Sequence, residues 1–591
     1  MRTAIATVSL SGSLTEKLTA AARAGFDAVE LFENDLLAAE QSPEEIRART
    51  ADLGLAIDLY QPLRDIEGVP DERQFARNLR RAEHKFRLMR RLGADTVLVC
   101  SSVSPHTADD DALAAEHLHR LARLADEHGI RVAYEALAWG RRVDTYDHAW
   151  RIVEAAGHPA LGVCLDSFHI LARGSDPEAI EDIPGEKIFF LQLADAPQLA
   201  MDVLQWSRHH RCFPGQGAFD IAGLLGHVLR AGYTGPLSLE VFNDVFRQAD
   251  AGPTAVDARR SLLALQEQAG LAPALQPPVP PTGFAFAELV ASDPEPVAAT
   301  LRALGFSRTA RHRSKPVDLW EQGEARILVN SGATAHRTET RLAAIGLESP
   351  DPAAAAQRAE ALLAPLIPRR RARTDAPIDA IAAPDGTELF LCAAQGPTWR
   401  GDFTRDTTRR RPGEIRGIDH LALTQPWHQF DEAALFHRTV LGLDPEGSVD
   451  VADPYGLLRS RAVATADGRV RIALAVGPAP ADAAARPQHV ALATGDLVTA
   501  VRRYREAGGR ILRVPGNYYE DLAARFPLVE PELATYRELG ILYDEEPGGT
   551  FLHCYTETVG RVFFELVQRG RGYRGYGAAN AAVRLAAQRR G

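Results

Sequence analysis

Over the first 270 or so residues, short apolar runs alternate with longer stretches whose apolar positions recur every three or four residues. The short runs predict strands at Ala4–Leu10, Asp27–Phe32, Leu55–Gln61, Thr96–Ser101, Ile130–Leu137, Leu161–Asp166, Ile188–Leu193 and Pro236–Phe242. The longer stretches predict helices between them, among them Gln74–Leu92, Ala112–Glu127 and Ile221–Ala231, the last with Asp220 as its N-cap. Glycines in Ala24-Gly25-Phe26 and Leu92-Gly93-Ala94 mark helix ends just ahead of the next strand. About eight strand–helix units in about 250 residues have the size and rhythm of a (β/α)₈ barrel. A doubly wound open sheet shares the alternation, but no G-x-G-x-x-G turn follows the first strand, so the α/β TIM barrel is the expected fold.

Beyond residue 270 the rhythm changes. The segment 271–283 (LAPALQPPVPPTG) is Pro-rich and uncharged, which predicts a stiff extended linker. Phe284–Ala393 and Gly417–Gln568 each read as strand, helix, then several strands, with helix Pro294–Leu304 placed in the first as Asp431–Val440 is in the second. Strands such as Ile472-Ala473-Leu474-Ala475-Val476 set their larger apolar residues on one face. This is an internally duplicated βαβββ pattern. The expected organisation is a barrel over 1–270, a linker over 271–283, a module without metal over 284–400 and a metal-binding module over 401–591.

Composition narrows the partners. At 591 residues the chain exceeds one hydrophobic core, and 46% hydrophobic with 25% charged residues is ordinary for a soluble globular protein. A net charge of −11 argues against general affinity for nucleic acid or anionic membrane. The basic runs Arg369-Arg370-Arg371 and Arg409-Arg410-Arg411 have acidic neighbours and read as solvated loops. Five scattered cysteines with no CxxC pair exclude zinc-ribbon and redox motifs and disfavour a disulfide framework. With no apolar N-terminal segment of the signal type and no apolar run of roughly 18 residues, a cytoplasmic address is expected.

Barrel chemistry gathers at the C-terminal strand ends. Four successive strands there present Glu135, Asp166, Gln192 and Glu240. Three carboxylates and an amide carbonyl form a hard oxygen set suited to Mg²⁺, Mn²⁺ or Co²⁺. Singly, each could cap a strand or join a surface ion pair; together they would cost roughly several kcal/mol to bury without a cation. Just beyond lie His169, a candidate acid/base, and Arg64, Ser207 and Arg211, candidates for binding a substrate carboxylate, with His209 and His210 nearby. Glu135, Asp166, Gln192 and Glu240, with the R-x-x-P-G-x-G-x-x-D stretch from Arg211, resemble xylose-isomerase/AP-endonuclease-type barrels. Within that superfamily, Ile5–Gly12 and Val29–Asp35 resemble bacterial 3-dehydroshikimate dehydratases of quinate and shikimate catabolism. The resemblance implies a metal-dependent dehydration giving protocatechuate, with His169, Arg211 and Glu240 as the catalytic residues.

A second constellation lies near the C-terminus. His420 in Ile418-Asp419-His420-Leu421, His489 in Gln488-His489-Val490 and Glu565 in Phe564-Glu565-Leu566 make two histidines and a carboxylate on apolar strands. That facial triad suits Fe²⁺ and similar ions, Mg²⁺ among them. With Val514–Tyr519 and Gly575–Asn580, this half resembles 4-hydroxyphenylpyruvate dioxygenase of the vicinal-oxygen-chelate superfamily. The resemblance places Glu288 where His420 stands in the second module, with no second histidine in register. Ala581, where the dioxygenases carry an aromatic, and the Ala/Pro-rich 477–487 segment depart from the family and predict an altered substrate pocket. A sugar isomerase or epimerase, a bifunctional protein with an active dioxygenase, and a C-terminal half serving as scaffold remain open alternatives. The expected partners are a small-molecule substrate and further copies of the chain.

Overall fold

The computed structural model describes residues 1–271, 275–332, 339–369, 371–395, 398–406, 413–453, 456–476 and 488–588. The chain divides into two compact units, Met1–Leu275 and Gln276–Gly591. In the first, eight parallel strands close into a barrel in chain order: β1 (Thr3–Ala6), β2 (Ala28–Phe32), β3 (Ala56–Leu63), β4 (Thr96–Cys100), β5 (Arg131–Glu135), β6 (Leu161–Asp166), β7 (Ile188–Leu193) and β8 (Leu237–Leu239), with β8 beside β1. The expected TIM barrel is present. β4, β6 and β7 are buried along their whole length, as parallel strands covered on both faces must be.

Helices end where side chains satisfy their free backbone groups. Asp71, Asp110 and Asp220 cap Glu72–Leu92, Asp111–Glu127 and Ile221–Arg230, the last through Gly223 N–H at 2.8 Å. Gly25 and Gly93 adopt left-handed conformations at helix ends, as their placement predicts. Two strands are shorter than their apolar runs. The chain leaves β1 at Ala6 for a single turn over Thr7–Ser9, where Ser9 Oγ accepts the Val241 N–H at 2.9 Å. β8 likewise ends at Leu239, so part of the apolar run at each end covers the barrel rim rather than extending the sheet.

The second unit contains two eight-stranded sheets. The first uses β9 (Gly283–Val290), β10 (Ser307–His312), β11 (Val317–Gln322), β12 (Ala325–Asn330), β13 (Arg341–Ser349), β14 (Asp379–Ala382), β15 (Glu388–Ala393) and β16 (Phe403–Arg405), in the order β14-β15-β13-β9-β12-β11-β10-β16. The other uses β17 (Ile415–Thr424), β18 (Asp444–Asp453), β19 (Gly456–Ala464), β20 (Arg471–Val476), β21 (Gln488–Thr494), β22 (Leu542–Glu546), β23 (Gly549–Tyr555) and β24 (Val562–Gly570), in the order β18-β19-β20-β17-β21-β24-β23-β22. Helices Glu295–Ala303 and Phe430–Leu441 follow the opening strand of each. In β20, Ile472, Leu474 and Val476 are buried while Ala473 and Ala475 are half-buried, the alternation expected from the sequence.

The Pro-rich segment is partly built into this unit. Arg358 Nη1 donates to Gln276 O at 2.6 Å, and Pro278 and Pro280 close on Gly442, whose φ of +68° and missing Cβ permit the approach. Gly283 opens β9. The expected basic run 409–411 and the Ala/Pro-rich 477–487 segment lie outside the described residues. The five cysteines are free and buried, and among the described residues no helix is long and apolar enough to cross a membrane.

Buried acids of the barrel unit also lie away from the strand ends, Glu67 among them. Glu67, in the loop after β3, accepts the Ser102 N–H, and burial pushes its carboxyl up to about 7. An acid raised from 4.5 contributes stability that is complete below pH 4.5 and is lost as pH rises through 7. Urea unfolding of the barrel should therefore lose roughly 2.5 kcal/mol from this group between pH 5 and pH 8. Glu67→Gln, which keeps the acceptor for Ser102, should flatten that part of the curve; an unchanged pH dependence in the variant would refute the assignment.

Candidate functional site

The barrel brings the strand-end residues to one rim. Glu135 closes β5, Asp166 closes β6, Gln192 lies near the end of β7, and Glu240 follows β8 directly. Asp166 also caps the short helix Ser167–Ala172: its Oδ1 accepts Phe168 N–H at 2.7 Å and His169 N–H at 3.2 Å. That leaves Oδ2 to face the site and aims His169 into it. Candidate ligand atoms of Glu135, Asp166 and His169 all lie within 4.8 Å of one another.

Arg211 is buried among them. Its Nη1 donates to Asp166 Oδ2 at 2.8 Å and Glu240 Oε2 at 3.1 Å, while Nε and Nη2 donate to Ser207 Oγ at 3.1 and 2.8 Å. His169 stands between two donors: the Ala138 N–H reaches Nδ1 at 3.1 Å and Arg211 Nη2 reaches Nε2 at 3.2 Å, with Glu135 Oε1 3.8 Å from Nε2. Burial holds the His169 imidazole down at about 3, with Asp166 opposing that shift and Arg211 adding to it. Burial likewise lifts Glu240 to about 7 although Arg211 lowers it, and raises Glu135 well above the carboxylate range, with Asp166 and Glu240 repelling its charge. Glu135 Oε2 accepts the Cys100 thiol at 3.3 Å, but its Oε1, fully buried, has no partner. An orphaned carboxylate oxygen among repelling acids fits a hard divalent ion.

Glu30 on β2 belongs to the same cluster and was not singled out from the sequence. It accepts Gln61 Nε2 at 2.8 Å, Gln192 Nε2 at 2.6 Å and the Ser238 hydroxyl, and burial followed by the charge of Glu240 raises its carboxyl well above the usual range. The bond from Gln192 Nε2 turns its Oε1 the other way, where Cys164 Sγ lies at 3.4 Å. The signal for Glu30 was a lone acid inside the apolar run Ala28-Val29-Glu30-Leu31-Phe32. Arg64, Ser207, His169, Arg211, Glu135 and Glu240 share the lining of a cavity of about 70 Å³. His209 and His210 do not line it; His209 pairs with Asp244 at 2.9 Å.

In the second unit the expected triad converges. Glu565 Oε2 lies 3.1 Å from both His420 Nε2 and His489 Nε2, which are 3.4 Å apart. Asp419, held by two bonds from Arg569 at 2.7 Å each, contacts His420 Nδ1 at 2.8 Å and thereby leaves Nε2 for the site. Burial alone would raise Glu565, but the charge of His420 and hydrogen bonds from three histidines hold it well below the carboxylate range. The third is His553, which sequence reasoning passed over. Asn580 Nδ2 donates to its Nε2 at 2.9 Å, so its Nδ1–H donates to Glu565 Oε1 at 2.7 Å and leaves Oε2 to the triad. Two imidazoles and one carboxylate oxygen fit a transition-metal or Mg²⁺ ion.

A third group is made by His312 and Asp375, in the module expected to lack metal, with Asp402, two residues beyond the end expected for it. Its members are occupied: Ser314 N–H bonds His312 Nδ1, Ala372 N–H bonds Asp375, Ala376 N–H bonds Asp402, and Lys315 lies 3.6 Å from Asp375. These are loop-capping bonds with a lysine supplying the positive charge.

Comparison with known proteins gives the class first. Residues 18–267 match the xylose isomerase-like TIM barrel family, 275–350 the N-terminal hydroxyphenylpyruvate dioxygenase family, and 417–549 the glyoxalase/bleomycin resistance protein/dioxygenase superfamily. A solved xylose isomerase-like TIM barrel/4-hydroxyphenylpyruvate dioxygenase fusion protein superposes with a TM-score of 0.91 at 42% identity, covering 100% of this chain and 99% of its own. A 4-hydroxyphenylpyruvate dioxygenase of Pseudomonas aeruginosa is 29% identical over 51% of this chain and 92% of its own. A 3-dehydroshikimate dehydratase of Pseudomonas putida is 44% identical over 99% of this chain and 98% of its own. The chain belongs to the 3-dehydroshikimate dehydratases.

Counted by elemental analysis after dialysis against a divalent cation, the full chain should carry two equivalents, and Glu135→Ala and His489→Ala one each. His553→Leu should weaken the second equivalent by about 10- to 100-fold in calorimetric titration and leave the first unchanged. Unchanged affinity in this variant would reduce His553 to a packing residue.

Proposed function

We propose that the barrel converts 3-dehydroshikimate to protocatechuate with loss of water, the carbon–oxygen lyase step of quinate and shikimate catabolism. Full-length identity of 44% to a dehydratase, together with an assembled rim of Glu135, Asp166, Glu240, His169 and Arg211, carries this reading. Glu135, Asp166 and Glu240, with Gln192 once its amide turns to bring Oε1 to the rim, would hold Mg²⁺, Mn²⁺ or Co²⁺. Such an ion supplies Lewis-acid stabilisation of negative charge growing on substrate oxygens.

The remaining roles fall to the chain itself. Dehydration takes a proton from the carbon alpha to the ketone and expels a ring hydroxyl as water; loss of the remaining acidic ring hydrogen by tautomerisation gives the aromatic product. His169, held neutral by burial and facing the cluster through Nε2, is the acid/base that takes the proton from the carbon alpha to the ketone. Glu240, raised to about 7, is the second proton carrier. Arg64 lines the cavity with no side-chain hydrogen bond or ion pair among the described residues, which suits it to the substrate carboxylate. Arg211, steadied by both Ser207 bonds, is the second cation for that carboxylate.

Purified protein supplied with a divalent metal should release protocatechuate from 3-dehydroshikimate, read by its absorbance, and Glu135→Ala should not. His169→Ala should lower kcat at least about 100-fold with metal content retained, as loss of a general acid or base does; Arg64→Ala should chiefly raise KM. No product with any of the three metals would reject the reading and turn attention to sugar-like ketones.

A further inference from the structure

The two sheets of the second unit can be aligned by strand register. In one, His420 on β17 stands opposite Ala491 on β21, which stands opposite Glu565 on β24. In the other, Glu288 on β9 stands opposite Ala344 on β13, which stands opposite Glu388 on β15. Glu288 therefore occupies the place of His420, as the sequence suggests, and Glu388 that of Glu565. His489 stands opposite Ala422, two residues beyond His420; opposite Val290, two residues beyond Glu288, stands Arg341, because a β-bulge between Leu342 and Ala344 shifts the register, and an arginine repels a metal ion.

The row of Glu288 and Glu388 lines a cavity of about 510 Å³, a size typical of small-molecule sites and far larger than an ion requires. Asn330 Nδ2 donates to Glu288 at 2.7 Å while Asn330 Oδ1 accepts the Gly332 N–H, so the amide fixes the acid and presents no oxygen of its own. Burial raises the Glu288 carboxyl, and Arg369 and Lys315 act against that rise. Positive charge at this site thus comes from side chains.

The lining also carries aliphatic, aromatic and cationic side chains, together with Asp375, Asp379 and Asp402, of which Asp375 and Asp402 are engaged in the loop bonds described above. Phe286 sits 5.6 Å from Phe390 and 4.9 Å, edge to face, from Trp399. Arg369, expected from the sequence in a solvated loop, lies with its guanidinium 4.1 Å from the Phe390 ring centroid. Arg341, also on the lining, has no hydrogen bond or ion pair from its side chain among the described residues.

We propose that this cavity binds a small ring bearing both a carboxylate and hydroxyl groups. The aromatic walls suit a flat ring, Arg369 and Arg341 suit its carboxylate, and Glu288 and Glu388 accept hydrogen bonds from its hydroxyls. Substrate and product of the barrel reaction fall in this class, but the inference stands on the lining of the cavity and not on that reaction.

Calorimetric titration of the full chain with 3,4-dihydroxybenzoate, and separately with benzoate, tests it. Wild type should show a binding event that weakens at least tenfold in Arg369→Ala, whose side chain is exposed, and in Ala343→Phe, which fills the cavity without changing charge. Turnover of 3-dehydroshikimate, measured in parallel, should stay within twofold of wild type in both, which separates this site from the barrel. The same isotherm in all three proteins, including no binding at all, would overturn the proposal. Benzoate should bind at least tenfold more weakly than the dihydroxy compound; equal binding would overturn the assignment of hydroxyls to Glu288 and Glu388.

Discussion

Like charge confined inside a barrel governs the first unit. Glu30, Glu135, Asp166 and Glu240 are all buried at one end of a closed sheet, where each ionised group costs several kcal/mol unless it is paired or hydrogen-bonded. Much of the surrounding structure answers that cost. Arg211 bridges two of the acids and is itself aimed by Ser207. Gln61, Gln192 and Ser238 saturate Glu30. What stays unanswered is Glu135 Oε1, and chemistry belongs where the charge balance is incomplete.

The second unit solves a related problem twice with different residues. One copy surrounds a single carboxylate with three imidazoles and fixes two of them through Asp419 and Asn580. The other keeps two acids on the same row, removes the histidines and supplies arginine and lysine instead. A duplicated fold has thereby separated two kinds of recognition, one by coordination and one by hydrogen bonding and stacking.

The eight barrel strands were legible because each is a continuous apolar run punctuated by glycine or a capping aspartate. Their ends were not, since an apolar residue that covers the rim, such as Val8 or Val241, looks the same in sequence as one that extends a strand. The strand-end acids and the two ligand-like histidines stood out as polar residues in apolar surroundings. Glu30 and His553 carry the same signal, but their partners, Gln192 and Asn580, lie 162 and 27 residues away, and nothing local ties them together. The kinship of Glu388 with Glu565 depends on cross-strand register, which pairing in space sets and a linear reading does not display.

Asp166 gives one oxygen to the helix that carries His169 and the other to the heart of the cluster. The imidazole and the charge beside it are thus tied across three residues of backbone. Any insertion between them would displace both at once, and substitutions at the two positions should be strongly epistatic. The stretch from Asp166 to His169 acts as a single hinge-pin, so new specificities in this barrel are to be sought at Arg64, which lies just beyond β3 and hydrogen-bonds neither residue.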